Sequence, residues 1–327
     1  MRIAVDGMGG DRGPHEIVAG AGWAAEELGA AIEVIVVGVP ETVQPLLDAH
    51  PRLRFTPASE VVTMSDHPAQ AIRSKPQSSM SVCARLCKQG EADAWVSAGN
   101  SGAVLAASLL IQGRLRGVER PALGTVLPTV GAPAYFLDVG ANVDSRPEYL
   151  VQFGQMGAVY ARELWGRPDP GVGLLSNGEE EDKGDELVRE AGARLRRSAG
   201  VRFIGNVEPK DVLGGRVDVV VADGFVGNVA IKMAEATAEL IFEQMRREVP
   251  RGVRGRVGGL LIRPGVRRIR DRMDWREFGG APLLGVDGVA VVAHGRSDAR
   301  AVRNAVRVAQ QAVESGLAAK IREAIGR

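Results

Sequence analysis

Cysteine and histidine, the residues of disulfide frameworks and of most metal sites, are scarce in this sequence. Its 327 residues contain 2 cysteines and 4 histidines. Cys83 and Cys87 lie four residues apart in SVCARLCKQG, which predicts one face of a helix, and no histidine stands near them. The histidines are scattered and form no HExxH pattern. We therefore expect a reduced, cytoplasmic chain with no disulfide and no metal site.

Long apolar runs and a large net charge are missing as well. The N-terminus, MRIAVDGMGG, lacks the basic and then apolar order of a secretion signal. No run approaches the roughly 18 apolar residues that a spanning helix needs. The formal net charge is +1, so the overall balance gives no indication of nucleic-acid binding. Lysine is rare, 6 residues against 35 arginines, a bias that indicates no function by itself.

Motifs for covalent or dinucleotide chemistry are also absent. No GxSxG sequence places a serine in a nucleophile elbow, which disfavours a covalent acyl-enzyme. The loop DGMGGDRGP at 6–14 is not GxGxxG, and no acidic residue is clearly placed for a ribose about 20 residues further on. We therefore expect chemistry that needs no cofactor.

Short β-branched runs do alternate with helical patterns along the whole chain. The predicted strands are 1–6, 32–38, 53–58, 92–97, 122–128, 134–139, 171–176, 201–206, 217–223 and 288–295. Several are apolar throughout, which is typical of strands covered on both faces. The alternation predicts an α/β fold with a mostly parallel, helix-covered sheet. Since no repeat or long linker is visible, we expect one domain over 1–327.

Residues 246–276 break this pattern. They contain eleven arginines against three acidic residues, interleaved with apolar side chains. The apolar residues that we expect to contact a membrane are Val257, Leu260, Leu261, Ile262, Val266 and Ile269. Such a stretch suits an anionic membrane surface, although an acidic partner protein or a solvated pair of helices would fit it too. We therefore place a basic amphipathic helical section for membrane or dimer contact at about 240–280.

Three predicted strand-to-helix loops are small, contain glycine and carry an asparagine. The loops are AGNSGA (98–103), GANVDS (140–145) and GFVGN (224–228). Ligands collect at the carboxyl ends of parallel strands, where helix N-termini attract anions. For Asn100, Asn142 or Asn228 alone, helix capping is the competing explanation. Three such loops at the same end of one sheet predict a shared phosphate cleft.

Lysine and serine add further candidates. Lys183 lies among acidic residues in SNGEEEDKGDEL (176–187), just before a helix expected to begin near Asp185. A phosphate clamp and a surface ion-pair cluster are both consistent with this pattern. The segment IRSKPQSSM (72–80) supplies Lys75, Ser78 and Ser79 before another helix, where either an anion site or a serine cap is expected.

Taken together, these segments resemble the bacterial phosphate acyltransferase family of phospholipid synthesis, the PlsX type. The motifs that carry the resemblance are DGMGGDRGP, KPQSSM, VSAGNSGA, RPAL with LPT, LDVGANVDSRPEYLVQFGQMG, VGLLSNGEEEDKG, IGNVEP, VVVADGFVGN, and FGGAPLLGVDG with AHG. They follow the family's order from near residue 1 to about 310. The sequence departs from the family at Gly7, Arg12, Ser145 and Tyr149, where alanine, histidine, cysteine and histidine are more usual.

The resemblance implies transfer of a fatty acyl group from acyl carrier protein to inorganic phosphate, which gives an acyl phosphate. It implies a three-layer α/β/α fold with two lobes around a cleft, like phosphotransacetylase and isopropylmalate dehydrogenase. It also implies a homodimer in peripheral contact with the cytoplasmic membrane, with hand-off to a membrane glycerol-3-phosphate acyltransferase. The arginine-rich section at 246–276 agrees with that membrane contact.

The resemblance also assigns roles to the candidate residues. Lys183 and Asn228 are expected to be catalytic, through charge neutralisation and donation to phosphate or the forming oxyanion. The expected phosphate- or substrate-binding residues are Asn100, Ser101, Gly102, Asn142, Asp144, Gly227, Lys75, Ser78, Ser79 and His294, the last also being a spare general acid. The alternatives are a phosphotransacetylase-like enzyme that uses acyl-CoA, a decarboxylating dehydrogenase, and a membrane-associated scaffold without catalysis. The dehydrogenase would need clustered aspartates and a nucleotide pocket, which the sequence lacks.

Overall fold

Eleven strands form one sheet in residues 1–326, the part of the chain that the computed structural model describes. The strands are β1 (Arg2–Asp6), β2 (Glu33–Gly38), β3 (Arg54–Pro57), β4 (Ala94–Ser97), β5 (Ala122–Leu127), β6 (Ala134–Leu137), β7 (Gly171–Leu175), β8 (Arg202–Val207), β9 (Val219–Val221), β10 (Ala281–Leu284) and β11 (Val289–Val292). Their spatial order is β3-β2-β1-β4-β11-β10-β5-β6-β9-β7-β8. Seven of the ten neighbouring pairs are parallel, which confirms the predicted mostly parallel sheet.

The sheet consists of two parallel halves that run in opposite directions. The first half is β3-β2-β1-β4-β11, and the second is β6-β9-β7-β8. They are joined through β10 and β5, whose pairings with β11, with each other and with β6 are antiparallel. A sheet twist of roughly 20–25° per strand adds up to about 100–125° over the five steps from β4 to β9. The carboxyl ends of both halves therefore tilt toward the same face of the sheet.

Helices cover both faces of this sheet. They are α1 (His15–Glu27), α2 (Pro40–Leu47), α3 (Pro68–Ser74), α4 (Ser79–Lys88), α5 (Ser101–Ala107), α6 (Pro147–Trp165), α7 (Glu186–Leu195), α8 (Pro209–Leu213), α9 (Gly224–Glu248), α10 (Gly252–Arg272), α11 (Trp275–Phe278), α12 (Ala299–Glu314) and α13 (Leu317–Ile325). A 3-10 turn at Gly29–Ala31 and a π-helical turn at Ser108–Gln112 complete the helical structure.

The core is continuous on one face of the sheet and divided on the other. Successive side chains of a strand point to opposite faces of the sheet, so Ile3 belongs to the continuous cluster and its neighbour Ala4 belongs to a cluster on the other face. The continuous cluster joins both halves, whereas the other face has one cluster around Trp95 and a separate one around Phe136. The two halves are thus packed together on one side and separate on the other, as expected for two lobes around a cleft.

All ten predicted strands are present, and one strand was missed. β10 lies in FGGAPLLGVDG, where Pro282 and flanking glycines indicate a turn rather than a strand. Its antiparallel pairing with β5 and β11 supplies the contacts that override this local preference. The predicted helix start near Asp185 is confirmed, because its side chain accepts the Val188 N–H at 2.8 Å as the N-cap of α7.

The basic section lies in two long and largely exposed helices. In α9 only Gly224 and Gly227 are buried, and α10 has no buried residue. The six apolar residues predicted for membrane contact divide at about 100° per residue into two faces of α10: the first three, Val257, Leu260 and Leu261, lie opposite the last three, Ile262, Val266 and Ile269. Within residues 1–326, no helix is both long and apolar enough to cross a bilayer.

Candidate active site

The loop after β6 is organised by the buried carboxylate of Asp138. This carboxylate accepts backbone N–H groups of Leu123 at 2.9 Å, Ala141 at 3.1 Å and Asn142 at 2.7 Å. The Asn142 amide nitrogen donates to Asp138 at 3.0 Å and to the Pro121 carbonyl at 2.8 Å. Burial raises the pKa of Asp138, while the hydrogen bonds oppose that shift. Asn142 is therefore held by the buried carboxylate and does not cap a helix.

The segment GFVGN, predicted to be a loop, is the first part of helix α9. Asp223 caps this helix, since its carboxylate accepts the N–H groups of Phe225 at 2.9 Å and Val226 at 3.0 Å. Asn228 lies in the second turn, where its amide donates to the Val139 carbonyl at 2.7 Å. The loop interpretation of this segment is wrong, because its glycines allow close packing of a helix. The capping interpretation of Asn228 is also wrong, because Asp223 is the residue that caps α9.

That close packing presses the start of α9 onto the loop after β6. A Cβ atom on Gly224 would lie 2.4 Å from the Asn142 carbonyl oxygen, and one on Gly227 would lie 1.9 Å from the Asp138 carbonyl oxygen. Neither distance is possible for a side chain, so only glycine fits these positions. The structure therefore places Asn228 against the loop that carries Asn142. Asp144 is exposed on the same loop.

Lys183 stands in the loop after β7, beside the strand that leads into α9. The strands β6, β9 and β7 are parallel neighbours, so their carboxyl ends share one edge. The Asn177 side chain accepts the Gly184 N–H at 2.8 Å, and Asn206 donates to the Glu180 carbonyl at 2.8 Å. These bonds shape the loop while the Lys183 side chain stays exposed.

The acidic residues around Lys183 form ion pairs elsewhere. Glu179 pairs with Lys210 at 3.2 Å, and Glu181 pairs with Arg196 at 2.8 Å. Within the described chain no carboxylate forms an ion pair with Lys183, so this lysine is not part of a surface ion-pair cluster, one of the two alternatives for this segment. Its ammonium group is accordingly available to an anionic ligand.

One acidic cluster lies beside this loop. The carboxylates of Glu179, Glu208 and Asp211 lie within 4.8 Å of one another. Lys210 pairs with the first two, and Arg216 pairs with Asp211 at 3.0 Å. Because protein cations already neutralise these carboxylates, the cluster does not indicate a metal site.

The first half of the sheet has its own buried carboxylate at a strand end. Asp6 accepts the Ser97 hydroxyl at 2.6 Å and the Met8 N–H at 3.2 Å, and burial raises its pKa. Ser97 in turn accepts the Gly99 N–H at 3.0 Å. The loops after β1 and β4 are thus joined at their base by one hydrogen-bond network.

Asn100 is a helix cap, which was one of its two expected roles. Its side-chain oxygen accepts the Ala103 N–H at 3.1 Å, and its amide nitrogen donates to the carbonyls of Met64 and Asp66 at 3.2 Å each. Ser101 and Gly102 follow in the first turn of α5, where Ser101 is exposed.

Lys75, Ser78 and Ser79 make structural contacts in the first half of the sheet. The Lys75 ammonium donates to Asp66 at 2.5 Å and to the Val61 carbonyl at 3.0 Å. Ser78 is fully buried and caps α4, which was the alternative expected for it. Ser79 is also buried and hydrogen-bonds Asp6. Lys75 and Ser78 thus bind other groups of the protein, and Ser79 is buried beside Asp6.

His294 follows β11 at the same strand end as Asp6 and Asn100. Its Nδ1 accepts the Arg296 N–H at 3.1 Å, which leaves Nε2 to carry the proton of the neutral ring. Burial and the charge of Arg296 lower the pKa of His294, whereas Glu235 and Asp11 act in the opposite direction. Glu235 belongs to α9, so this helix reaches from the second half of the sheet to the first.

The candidate residues therefore form two groups. Asn142, Asn228 and Lys183 belong to the second half, whereas Asn100 and His294 belong to the first. The expectation that all three asparagine loops lie at the same end of one parallel sheet is wrong, because the halves run in opposite directions. Helix α9 joins the two groups, because Asn228 near its start bonds the loop after β6. Arg296 pairs with Glu239 of α9 at 3.6 Å across this junction.

Sequence reasoning missed the residues that support this site. Asp6 is the last residue of β1 and Asp138 directly follows β6, and an acidic residue at the end of an apolar strand was the available signal. Asp223 comes two residues after β9 and is a favoured capping residue. Their roles depend on N–H groups from segments distant in sequence, which residue patterns do not reveal.

Solved structures share this fold. A phosphotransacetylase from Streptococcus pyogenes matches with a TM-score of 0.65 and 18% identity, over 96% of this chain and 94% of that one. A branched-chain phosphotransacylase from Enterococcus faecalis V583 matches with a TM-score of 0.62 and 15% identity, over 96% and 99%. The fold is thus the three-layer α/β/α architecture of the phosphotransacetylases.

Sequence comparison defines the family. Residues 1–320 match the family described as "Fatty acid synthesis protein". A protein of Nostoc punctiforme named "Phosphate acyltransferase" is 47% identical over 98% of this chain and 95% of its own length. One of the same name from Desulfitobacterium hafniense strain Y51 is 48% identical over 100% and 98%. The chain belongs to the phosphate acyltransferase family, and it is an acyltransferase of fatty acid and phospholipid synthesis.

Proposed function

We propose that the protein transfers a fatty acyl group from acyl-[acyl carrier protein] to inorganic phosphate, giving acyl phosphate for phosphatidic acid synthesis. The main supporting observation is the shared edge of β6, β9 and β7, because the segments that follow these three strands carry Asn142, Asn228 and an unpaired Lys183. The second N–H of Asn228 and the Lys183 ammonium are groups that bind a phosphate dianion. Asn142 supports the loop instead, because both of its amide N–H groups are donated to Asp138 and Pro121.

Bound phosphate is the nucleophile in this proposal. A phosphate oxygen attacks the thioester carbonyl carbon, the carbonyl becomes a tetrahedral oxyanion, and the carbon–sulfur bond then breaks. The proton of hydrogen phosphate passes to the departing pantetheine sulfur, so the products are acyl phosphate and a thiol. The protein need supply no covalent nucleophile; its task is to orient two reactants and to stabilise charge.

The side chains have distinct tasks in this reaction. Lys183 neutralises the phosphate during attack. The Asn228 amide uses one N–H for the Val139 carbonyl, which leaves a second N–H for phosphate or the oxyanion. His294, whose Nδ1 accepts the Arg296 N–H, stands as a spare general acid. The exposed Asp144 and Ser101, with the backbone of Gly102, complete the proposed substrate set. Gly227 does not belong to it, because this residue is buried and its N–H donates to the Asp223 carbonyl at 2.9 Å.

Membrane contact is part of the proposal, and exposed apolar side chains on α10 support it. Leu260 is 67% exposed and Leu261 is 77% exposed, with arginines on either side along the helix. Arginines meet anionic headgroups while leucines enter the interface. Peripheral contact with the cytoplasmic membrane would place the acyl phosphate near a membrane glycerol-3-phosphate acyltransferase that consumes it.

We also propose a homodimer that covers one face of α9. Phe225, Val229, Met233 and Leu240 recur at helical spacing and are between 50% and 64% exposed. A contiguous apolar stripe of this kind is typical of a protein–protein interface. The opposite side of α9 packs on the core through Ala230 and Ile231.

The decisive experiment is a trapping assay. The protein is incubated with long-chain acyl-[acyl carrier protein] and phosphate, and acyl phosphate is captured with hydroxylamine as the hydroxamate. Hydroxamate that depends on phosphate supports the proposal. Hydroxamate formed only from acyl-CoA would favour the phosphotransacetylase-like alternative. Binding to vesicles without any hydroxamate would favour a membrane-associated scaffold without catalysis.

A further inference from the structure

Helix α9 is anchored at both ends of one polar stripe. Asn228, Lys232, Glu235 and Glu239 follow one another at steps of four, three and four residues, which places them on one face of the helix. Asn228 is bonded to Val139 of the second half at 2.7 Å, and Glu239 pairs with Arg296 of the first half at 3.6 Å. The two anchors are about 16 Å apart along the helix at 1.5 Å per residue.

The residues between these anchors lie on the same polar stripe and close enough to His294 to affect its pKa. Lys232 stands one turn beyond Asn228, about 6 Å from it along the helix, and Glu235 stands one turn further. Both act on His294 across the cleft, Lys232 lowering and Glu235 raising its pKa. The other faces of α9 are occupied differently, one by the core contact of Ile231 and one by the exposed apolar stripe.

Lys232 has no ion-pair partner within residues 1–326. Its side chain is exposed, and Glu239, the acid two turns further along the stripe, is paired with Arg296. A phosphate dianion held by one lysine keeps a net negative charge, and a second cation beside the site would neutralise it. A charge-assisted hydrogen bond from an ammonium group is about twice as strong as a neutral one.

We infer that Lys232 is a second phosphate-binding cation of this enzyme, contacting the phosphate from the α9 side of the cleft. The inference rests on the proposed function and deepens it. Glu235, one turn further along the stripe, opposes anion binding and limits the affinity for phosphate. The two charges on one helix face therefore have opposite effects on the same ligand.

The test uses the full-length protein and the hydroxamate assay with varied inorganic phosphate. Lys232→Met should raise the KM for phosphate about 10- to 100-fold, the range expected for one lost hydrogen bond to a charged group. Lys232→Arg keeps the charge and should restore most of the affinity. Glu235→Gln should lower the KM, a change that a merely structural role would not produce. Lys320→Met, on the distant α13, is the matched control.

Calorimetric titration with inorganic phosphate separates this inference from the proposed function. If wild-type protein forms no hydroxamate, the proposed function fails, and phosphate binding still reports on Lys232 directly. The inference is overturned if Lys232→Met keeps a phosphate affinity within about twofold of wild type. It is equally overturned if Lys232→Arg is as damaging as Lys232→Met, or if Glu235→Gln weakens phosphate binding.

Discussion

At the residue scale, buried carboxylates support the loops of the candidate site. Asp138 and Asp6 occupy equivalent positions at the ends of β6 and β1, and each gathers N–H or O–H donors from different segments. Neither is exposed to a ligand, as both are at most 2% accessible. Their task is to hold the loops in place, because a buried carboxylate is tolerated only when its oxygens are satisfied.

Asp138→Asn tests this role. The new NH₂ group cannot accept the N–H donors that converge on the carboxylate, so about 1–3 kcal/mol of stability should be lost. Because the loop carries Asn142, activity should fall together with the melting temperature. Differential scanning calorimetry and the hydroxamate assay measure both, and unchanged stability with unchanged activity would contradict the role.

Lys183 and Asn228 carry the proposed chemistry. Lys183→Ala and Asn228→Ala should each fold but lose acyl phosphate formation by a factor of about 10² or more, as for removal of a transition-state donor. Asn228→Ala should also lower stability slightly because the bond to Val139 is lost. Lys320→Ala is the control for loss of a surface lysine. Near-wild-type turnover in either site variant would remove that residue from the mechanism.

His294 predicts a pH dependence of stability. Its pKa in the folded protein is lowered from the ordinary 6.5 by burial and then by Arg296, so the unfolded chain binds its proton first as the pH falls. The contribution of His294 to stability is present above pH 6.5 and is lost as the pH falls through the lowered pKa. The slope of stability against pH from this group is at most about 1.4 kcal/mol per pH unit, and solvent screening reduces it because His294 is exposed.

Urea unfolding between pH 7.5 and 5 measures this slope. His294→Gln should flatten the profile in that window, whereas Val130→Gln, at a 93% exposed position without an ionisable group, should leave it unchanged. An identical profile for wild type and His294→Gln would show that the ring titrates alike in both states.

At the element scale, α9 has three faces with three environments. Ile231 packs on the core, Asn228 and Lys232 face the cleft, and Met233 lies in the exposed apolar stripe. The sequence predicted a helix here but placed its start too late. The small residues of GFVGN match a loop by sequence. In the structure they belong to a helix that packs so closely on the loop after β6 that a Cβ atom on Gly227 or Gly224 would lie only 1.9 or 2.4 Å from a carbonyl oxygen.

Helix α10 predicts which leucines meet a membrane. Leu260→Glu combined with Leu261→Glu places two anionic charges on one exposed face, so binding to anionic vesicles should fall at least about tenfold through lost burial and added repulsion. Activity with soluble substrate should remain. Val130→Glu, at a 93% exposed loop position, is the control. Unchanged co-sedimentation of the double variant with vesicles would refute the contact.

At the scale of the whole molecule, the exposed stripe of α9 bears on assembly. Met233→Glu combined with Leu240→Glu places charges in the proposed interface, where unpaired charge is costly to bury. Sedimentation velocity should show a dimer for wild type and for Val130→Glu, and a shift of at least about tenfold in the dissociation constant for the double variant. A monomeric wild type would contradict the homodimer.

Much of the architecture was predictable because it depends on local pattern. Continuous β-branched runs such as VDVVVAD and IEVIVVG identify buried parallel strands, and Asp185 identifies a helix start. β10 escaped because its proline and glycines oppose a strand, and only pairing with β5 and β11 stabilises it. Strand direction in the two halves was also not predictable, since it depends on which strands pair at the centre of the sheet.

The sequence by itself determined the α/β class, the family, and the residue types of the candidate site, because periodicity and short motifs are local properties. Tertiary structure alone decided that Asn100 caps a helix while Asn142 and Asn228 meet at another loop. It also decided that Lys183 is free of its acidic neighbours and that α9 carries Glu239 to Arg296 of the first half of the sheet. These outcomes depend on contacts between segments far apart in the chain, where geometry rather than residue type selects the partner.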